Sequence, residues 1–138
     1  MIIKSEQEMI DFGTDFAKKL IHPQSSATII ELIGDVGSGK TTFTRGLAIG
    51  LGVTDPVTSP SFTISKSYAL HTGGNLIHYD FYRLPDPGLM SDDLYENLQN
   101  PKNIIVLEWS KSVTDILPGD HITITITYTQ DNFREVTA

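Results

Sequence analysis

The 138-residue sequence contains no cysteine, and this absence excludes disulfides and thiolate metal sites. No apolar run approaches the roughly 18 residues that a membrane-spanning helix needs, so no membrane association is expected. Basic residues are also scarce: 10 Lys and Arg face 17 Asp and Glu, for a formal net charge of -7. Nucleic-acid binding draws on clustered cations, so any contact with RNA is expected to be indirect. The composition is typical of a single-domain cytosolic protein.

Hydrophobic periodicity divides the chain into alternating helices and strands. Ser5 and Glu8 have the spacing of a capping box, at the start of a helix that extends to Leu20. Apolar, β-branched runs at 27–33 and 103–109 predict strands buried on both faces. The other patterns predict, in chain order, a helix over 41–51, a hairpin of strands 62–70 and 76–81, short helices over 91–98 and 110–117, and strands over 122–128 and 133–137.

A glycine-rich loop follows the first buried strand: residues 34–42 read GDVGSGKTT and match G-x-x-x-x-G-K-[ST]. Glycines let backbone N–H groups approach a phosphate without Cβ clashes, and a helix N-terminus adds unpaired donors. Lys40 is expected to reach the β- and γ-phosphates, and the Thr41 hydroxyl to ligate Mg²⁺. The predicted nucleotide-binding residues are Asp35, Val36, Gly37, Ser38, Gly39, Lys40, Thr41 and Thr42.

ATP is preferred over GTP because neither N-K-x-D nor D-x-x-G, the usual GTPase elements, occurs in the chain. Buried strands on both sides of a phosphate loop and its helix predict the fold class α/β. We expect a three-layer α/β/α sandwich of the P-loop NTPase kind, with a mixed, mainly parallel central sheet and antiparallel pairs at its edges.

Acidic residues end two of the predicted strands, where a phosphate loop normally finds its metal ligand. Glu108 follows the apolar run 104–107, and Asp80 follows 76–79. The alternatives are a surface carboxylate at a strand end for Glu108 and a hydrogen-bonded turn residue for Asp80. Structural roles are likewise open for His78 and Trp109. The sequence does not decide which carboxylate would orient a water molecule.

Four segments in order resemble the TsaE (YjeE) family, the small ATPases of bacterial tRNA threonylcarbamoyladenosine biosynthesis. They are GDVGSGKTT at 34–42, VTSPSFTI at 57–64, HYDFYR at 78–83 and VLEW at 106–109. The resemblance implies that Glu108 is the acid at the metal and that Asp80 is a second catalytic acid. It also implies a switch-like, site-shaping set composed of Ser59, Ser61, Phe62, Thr63, His78 and Trp109. The family's usual S-P-T-F here reads SPSF, with Ser61 in place of threonine.

The resemblance implies an ATP hydrolase that is weak alone, uses ATP and Mg²⁺, and supports turnover of the TsaD and TsaB proteins. One alternative is a small-molecule kinase, although no Arg cluster that would form a lid follows the central strands. Another is a non-hydrolysing, nucleotide-dependent regulatory module, which would need the same Lys40 and Thr41. Arg83 and Arg134 resemble family arginines and could be salt-bridge anchors or contacts with phosphate or a partner.

Overall fold

The computed structural model describes residues 1–20, 26–58, 60, 65–82 and 88–138. The predicted elements that fall within this part are confirmed in type and approximate position, and a short additional strand precedes them. The predicted strand over 62–70 is described only from Ser65 onward. In chain order the described elements are β1 (Ile2–Ile3), α1 (Glu6–Lys19), β2 (Thr28–Ile33), α2 (Lys40–Gly50), β3 (Ser65–Ala69), β4 (Asn75–Asp80), α3 (Leu89–Leu98), β5 (Ile104–Glu108), a 3₁₀ helix (Ser110–Ile116), β6 (Ile122–Tyr128) and β7 (Arg134–Thr137).

The described strands form one seven-stranded sheet in the order β1-β7-β6-β2-β5-β4-β3. Strands β4 and β5 run parallel, whereas β1 with β7, β6 with β7 and β3 with β4 are antiparallel. The sheet is therefore mixed, and the predicted α/β fold with antiparallel pairs at the sheet edges is confirmed. Among the described helices, none has both the length and the apolar character needed to cross a membrane.

The chain forms two compact units, and the expectation of a single domain stays a prediction. The first unit comprises Met1–Leu20, Leu32–Ser59 and Thr123–Ala138. Helices α1 and α2 approach closely there, because a Cβ added at Gly13 would lie 2.4 Å from the Phe43 carbonyl oxygen. The rings of Phe12 and Phe16 both lie 5.7 Å from the Phe43 ring. This packing fixes the helix that begins at the phosphate-loop motif.

The second unit comprises Ile21–Glu31 and Pro60–Ile122. One face of its strands packs against α3 and the 3₁₀ helix in a buried cluster of Ala27, Ile29, Ile77, Tyr79, Phe81, Leu94, Leu98, Ile105, Leu107 and Val113. Because side chains alternate along a strand, the intervening His78, Asp80 and Glu108 project from the opposite face. The core thus sets the direction of the predicted acidic residues.

Candidate functional site

The glycine-rich loop ends at the N-terminus of α2, whose first residue is Lys40. Gly37 and Gly39 have φ angles of 79° and 113°, in the left-handed region that glycine occupies at little cost. A Cβ added at Gly34 would lie 2.5 Å from the Ser38 hydroxyl oxygen, so the loop also closes tightly at its start. Together with the helix N-terminus, this backbone suits an anion.

Two buried polar groups inside the loop fit a phosphate. Lys40 is 5% exposed. Its ammonium group donates to the carbonyl oxygens of Gly34 at 2.5 Å and Asp35 at 3.0 Å. The Ser38 hydroxyl is buried and has no hydrogen-bond partner among the described residues. Buried polar groups are normally satisfied, so an unpartnered hydroxyl in an anion-binding loop points to a ligand oxygen.

The structure brings all the predicted nucleotide-binding residues together in the loop and the first turn of α2. Asp35 and Val36 are exposed at the loop's tip, whereas Thr41 and Thr42 are half-buried. A groove of about 330 Å³ extends beside them, with a volume in the range of small-molecule sites. Its lining comprises Ile3, Lys4, Ser5, Glu6, Met9, Gly37, Ser38, Gly39, Thr42, Asn132 and Arg134.

Arg134 contacts the main chain of this loop, a role that sequence reasoning left open. Its Nε donates to the Ser38 carbonyl oxygen at 3.1 Å, and its guanidinium lies 4.0 Å from the centre of the Tyr128 ring. None of the ion pairs between described residues includes Arg134. The salt-bridge interpretation of Arg134 is therefore wrong, since its partners are main-chain carbonyl groups and an aromatic ring.

The predicted acids lie side by side in the second unit. The parallel register of β4 and β5 pairs Asp80 with Glu108. His78 is fully buried, and its Nε2 is hydrogen-bonded to the Glu108 carboxylate. The Asp80 carboxylate accepts the backbone N–H of Tyr82 at 2.9 Å. The structure thus brings Asp80, Glu108 and His78 together, and both carboxylates are largely buried.

Trp109 adopts an unusual backbone conformation directly after Glu108. Its φ of 55° lies in the left-handed region, which bulky residues rarely occupy. The indole packs against Tyr82, with ring centroids 4.8 Å apart and planes tilted by 43°. Trp109 is half-buried and also packs against the buried cluster of the second unit, so its site-shaping role stays a prediction.

A further carboxylate, Glu31, was missed by sequence reasoning. The Ser110 hydroxyl donates to Glu31 Oε2, and His121 Nε2 lies 3.4 Å from Glu31 Oε1. Glu31 stands in the middle of β2 and its partners are distant in the chain. A lone acidic residue in an apolar strand (ATIIELI) was the one signal that could have drawn attention to it.

Several predicted residues, namely Ser59, Ser61, Phe62, Thr63 and Arg83, lie outside the described residues. Within the described part of the chain, no group of three or more His, Cys, Asp or Glu side chains could hold a metal. Magnesium does not need such a cage, because it binds through one or two carboxylates and keeps water and phosphate oxygens as its other ligands. The pair Asp80 and Glu108 therefore fits Mg²⁺ and does not fit zinc.

The mixed sheet and the glycine-rich loop at the start of α2 define an α/β protein of the P-loop-like class. The crystal structure of YdiB from Bacillus subtilis aligns with 99% of this chain and 80% of its own, with a TM-score of 0.76 and 31% sequence identity. The family model for the threonylcarbamoyl adenosine biosynthesis protein TsaE matches residues 3–136. This chain belongs to the TsaE family.

Curated relatives carry the same family name. The tRNA threonylcarbamoyladenosine biosynthesis protein TsaE of Haemophilus influenzae is 36% identical over 130 residues, covering 94% of this chain and 82% of the relative. The protein of that name from Treponema pallidum is 32% identical, covering 99% of this chain and 96% of the relative. The resemblance inferred from four short motifs is confirmed over nearly the whole chain.

Proposed function

We propose that this chain is a P-loop ATPase that binds Mg-ATP and supports turnover of the TsaD–TsaB complex in tRNA threonylcarbamoyladenosine modification. The observation that carries nucleotide binding is the loop before α2, where left-handed Gly37 and Gly39 precede the buried Lys40. Membership of the TsaE family supports the pathway. The two partner proteins come from the family resemblance, and tRNA is reached only through them.

In this proposal the loop residues 35–42 cradle the phosphates, and the groove beside Thr42 takes the nucleoside. Lys40 contacts the β- and γ-phosphates, and Thr41 and Glu108 are the ligands of Mg²⁺. When bound, Mg²⁺ neutralises charge on the phosphate oxygens. The assignment of Thr41 and Glu108 as Mg²⁺ ligands rests on the chemistry of the motifs and on the family resemblance.

The residues around the acids support a division of labour. His78 hydrogen-bonds to Glu108 and so fixes the orientation of that carboxylate. The Tyr82 N–H donates to the Asp80 carboxylate and so helps to fix its orientation beside Glu108. Asp80 and Glu108 are the catalytic acids in this proposal.

The test is Mg²⁺-dependent ATP hydrolysis by the protein alone and with its matching TsaD–TsaB pair. We expect a slow basal rate that the pair stimulates. Lys40→Ala and Glu108→Ala should each lower the stimulated rate on the order of a hundredfold or more, because each removes a charged contact with the reacting phosphates or metal. The exposed Lys111→Ala and Glu96→Ala are matched controls and should leave the rate unchanged.

Binding measurements separate the possible failures. If ATP binds but the pair does not accelerate hydrolysis, the chain is a nucleotide-dependent regulatory module and the ATPase assignment is wrong. If calorimetry detects no ATP binding at millimolar concentration, the proposal fails at its first step.

A further inference from the structure

The guanidinium of Arg134 donates to main-chain carbonyl oxygens on two sides. Nε donates to Ser38 at 3.1 Å and Nη2 to Gly37 at 3.4 Å, both in the phosphate-loop motif. Nη1 donates to Asn132 at 3.0 Å and to Phe133 at 3.4 Å, in the turn before β7. These bonds use four of the five N–H groups of an arginine. Arg134 therefore joins the loop to the β6–β7 turn.

The position of Arg134 is fixed by the hairpin that carries it. The antiparallel register places Arg134 directly opposite Tyr128, so the guanidinium stacks over the Tyr128 ring at 4.0 Å. The Tyr128 hydroxyl donates to the Val36 carbonyl oxygen at 3.4 Å. The turn is closed by two bonds between Thr129 and Phe133. The Thr129 N–H donates to the Phe133 carbonyl oxygen at 3.0 Å, and the Phe133 N–H donates to the Thr129 hydroxyl oxygen at 3.1 Å.

A peptide group is planar and trans, so its carbonyl oxygen and the following N–H point in opposite directions. The Ser38 N–H donates to the Asp35 carbonyl oxygen at 3.0 Å, within the loop. A donor that holds the Ser38 carbonyl group on one side therefore sets the direction of the next N–H group, that of Gly39. Backbone N–H groups of a phosphate loop must face the anion. A guanidinium bonded to the Ser38 carbonyl oxygen is placed to enforce that direction.

We propose that Arg134 is a positioning residue for phosphate binding. It holds the peptide groups 37–38 and 38–39 of the loop, and it does not itself contact the transferred phosphate. The inference rests on the proposed function, since it deepens the account of how the loop holds a nucleotide. Charge-assisted hydrogen bonds to two neighbouring carbonyl oxygens need the planar guanidinium of arginine, whose N–H groups have a fixed spacing. The ammonium group of lysine cannot reproduce this geometry.

The test compares Arg134→Lys and Arg134→Gln with wild type for binding of inorganic pyrophosphate and Mg-ATP by calorimetry. Both variants should bind pyrophosphate and Mg-ATP at least about tenfold more weakly. This is the smallest loss expected when charge-assisted hydrogen bonds are removed. At saturating ATP the hydrolysis rate should stay within about twofold of wild type, because Arg134 acts on binding. The control Arg45→Gln removes a guanidinium of the same unit that donates to Val57, outside the loop.

A measurement without ligand tests the mechanism directly. In the ligand-free protein the amide resonance of Gly39 should shift in Arg134→Lys and stay in place in Arg45→Gln. Tyr128→Leu leaves the arginine but removes its aromatic support and the hydroxyl that donates to the Val36 carbonyl oxygen. It should give a smaller change in the same direction. This variant keeps the proposal testable if the Arg134 variants do not fold.

Opposite results overturn the inference. Wild-type affinity in Arg134→Lys would mean that charge alone suffices. A lower rate at saturating ATP with unchanged affinity would place Arg134 at the reacting phosphate. A lower melting temperature with unchanged affinity and unchanged amide resonances would make its role purely structural. If wild type binds neither pyrophosphate nor ATP, the proposed function fails, and the amide resonances still decide whether Arg134 holds the loop.

Discussion

Trp109 concentrates strain next to the acidic pair. An L-residue in the left-handed region costs about 1–2 kcal/mol, so this conformation must be offset by contacts elsewhere. The offsetting contacts include the packing of the indole on the buried cluster of the second unit and on Tyr82, whose backbone N–H in turn holds Asp80. Strained residues that persist in this way cluster at functional sites. The left-handed backbone of Trp109 thus sets the direction in which the chain continues after Glu108.

The strain predicts an inverted order of stability for two substitutions. Trp109→Ala and Trp109→Gly both lose the packing on Tyr82, but only glycine relieves the left-handed backbone. We expect Trp109→Gly to be about 0.5–1 kcal/mol more stable than Trp109→Ala, although glycine normally destabilises relative to alanine. Urea unfolding followed by circular dichroism measures this difference, since Trp109 is the chain's one tryptophan and fluorescence is lost with it.

The same pair of substitutions at Lys111 provides the control. Lys111 is exposed in the 3₁₀ helix, so Lys111→Ala should be more stable than Lys111→Gly. If alanine is the more stable residue at position 109 as well, the left-handed backbone carries no strain and this account of Trp109 is wrong.

Motifs in the sequence single out candidate site residues, but they do not predict which residues those side chains contact. Lys40 and Glu108 stand in recognisable patterns: Lys40 ends a glycine-rich loop, and Glu108 ends a run of apolar residues. Glu31 contacts Ser110, which is 79 positions away in the chain, and Arg134 contacts Ser38, which is 96 positions away. Such pairs depend on which strands become neighbours, and no local pattern encodes that.

At the scale of elements, the approach of α1 to α2 holds the helix that carries Lys40. Added Cβ atoms would lie 2.4 Å from the Phe43 carbonyl oxygen at Gly13 and 2.1 Å from the Ile10 carbonyl oxygen at Gly46. Each glycine lies in the interior of its helix, where it costs about 1 kcal/mol relative to alanine. That cost is offset by the close packing of the two helices.

Gly13→Ala should therefore destabilise the protein despite the gain in helix propensity. We expect a net loss of about 2 kcal/mol, because the added methyl group meets main-chain atoms that can move only with the whole helix. The control is Gly119→Ala, where an added Cβ has no atom within 4 Å. Thermal unfolding of both variants gives the comparison. Equal or higher stability of Gly13→Ala would show that the helices separate without cost.

Helices and long strands were predictable because their apolar periodicity is local. Strand β1 was missed, since Ile2–Ile3 is too short to show any alternation. The strand order was also beyond the sequence: β7 lies between β1 and β6, so the two ends of the chain are neighbours in the sheet. Residues 110–116 form a 3₁₀ helix, whose hydrogen bonds join residues three apart, whereas those of an α-helix join residues four apart. Composition does not distinguish the two.

At the scale of the whole molecule, the stability of the fold is tied to pH through Tyr79. This tyrosine of β4 is fully buried, donates to Asp93 Oδ2 at 2.6 Å and accepts from Asn97 at 2.8 Å. Burial, followed by the hydrogen bond to Asp93, raises the pKa of Tyr79. The folded protein therefore keeps a proton that the unfolded chain releases above about pH 10, the ordinary value for tyrosine.

Because the unfolded chain then binds fewer protons than the folded one, stability falls as pH rises above about 10, and this contribution is fully present below it. Tyr79→Phe should be less stable than wild type by about 1 kcal/mol at pH 7, where it loses the two hydrogen bonds. Its disadvantage should shrink between about pH 10 and 11, since phenylalanine has no proton to lose. Urea unfolding across this range measures the gap, with Tyr95→Phe on the exposed side of α3 as the matched control. A gap that stays constant up to pH 11 would mean that Tyr79 ionises as easily in the folded protein as in the unfolded chain.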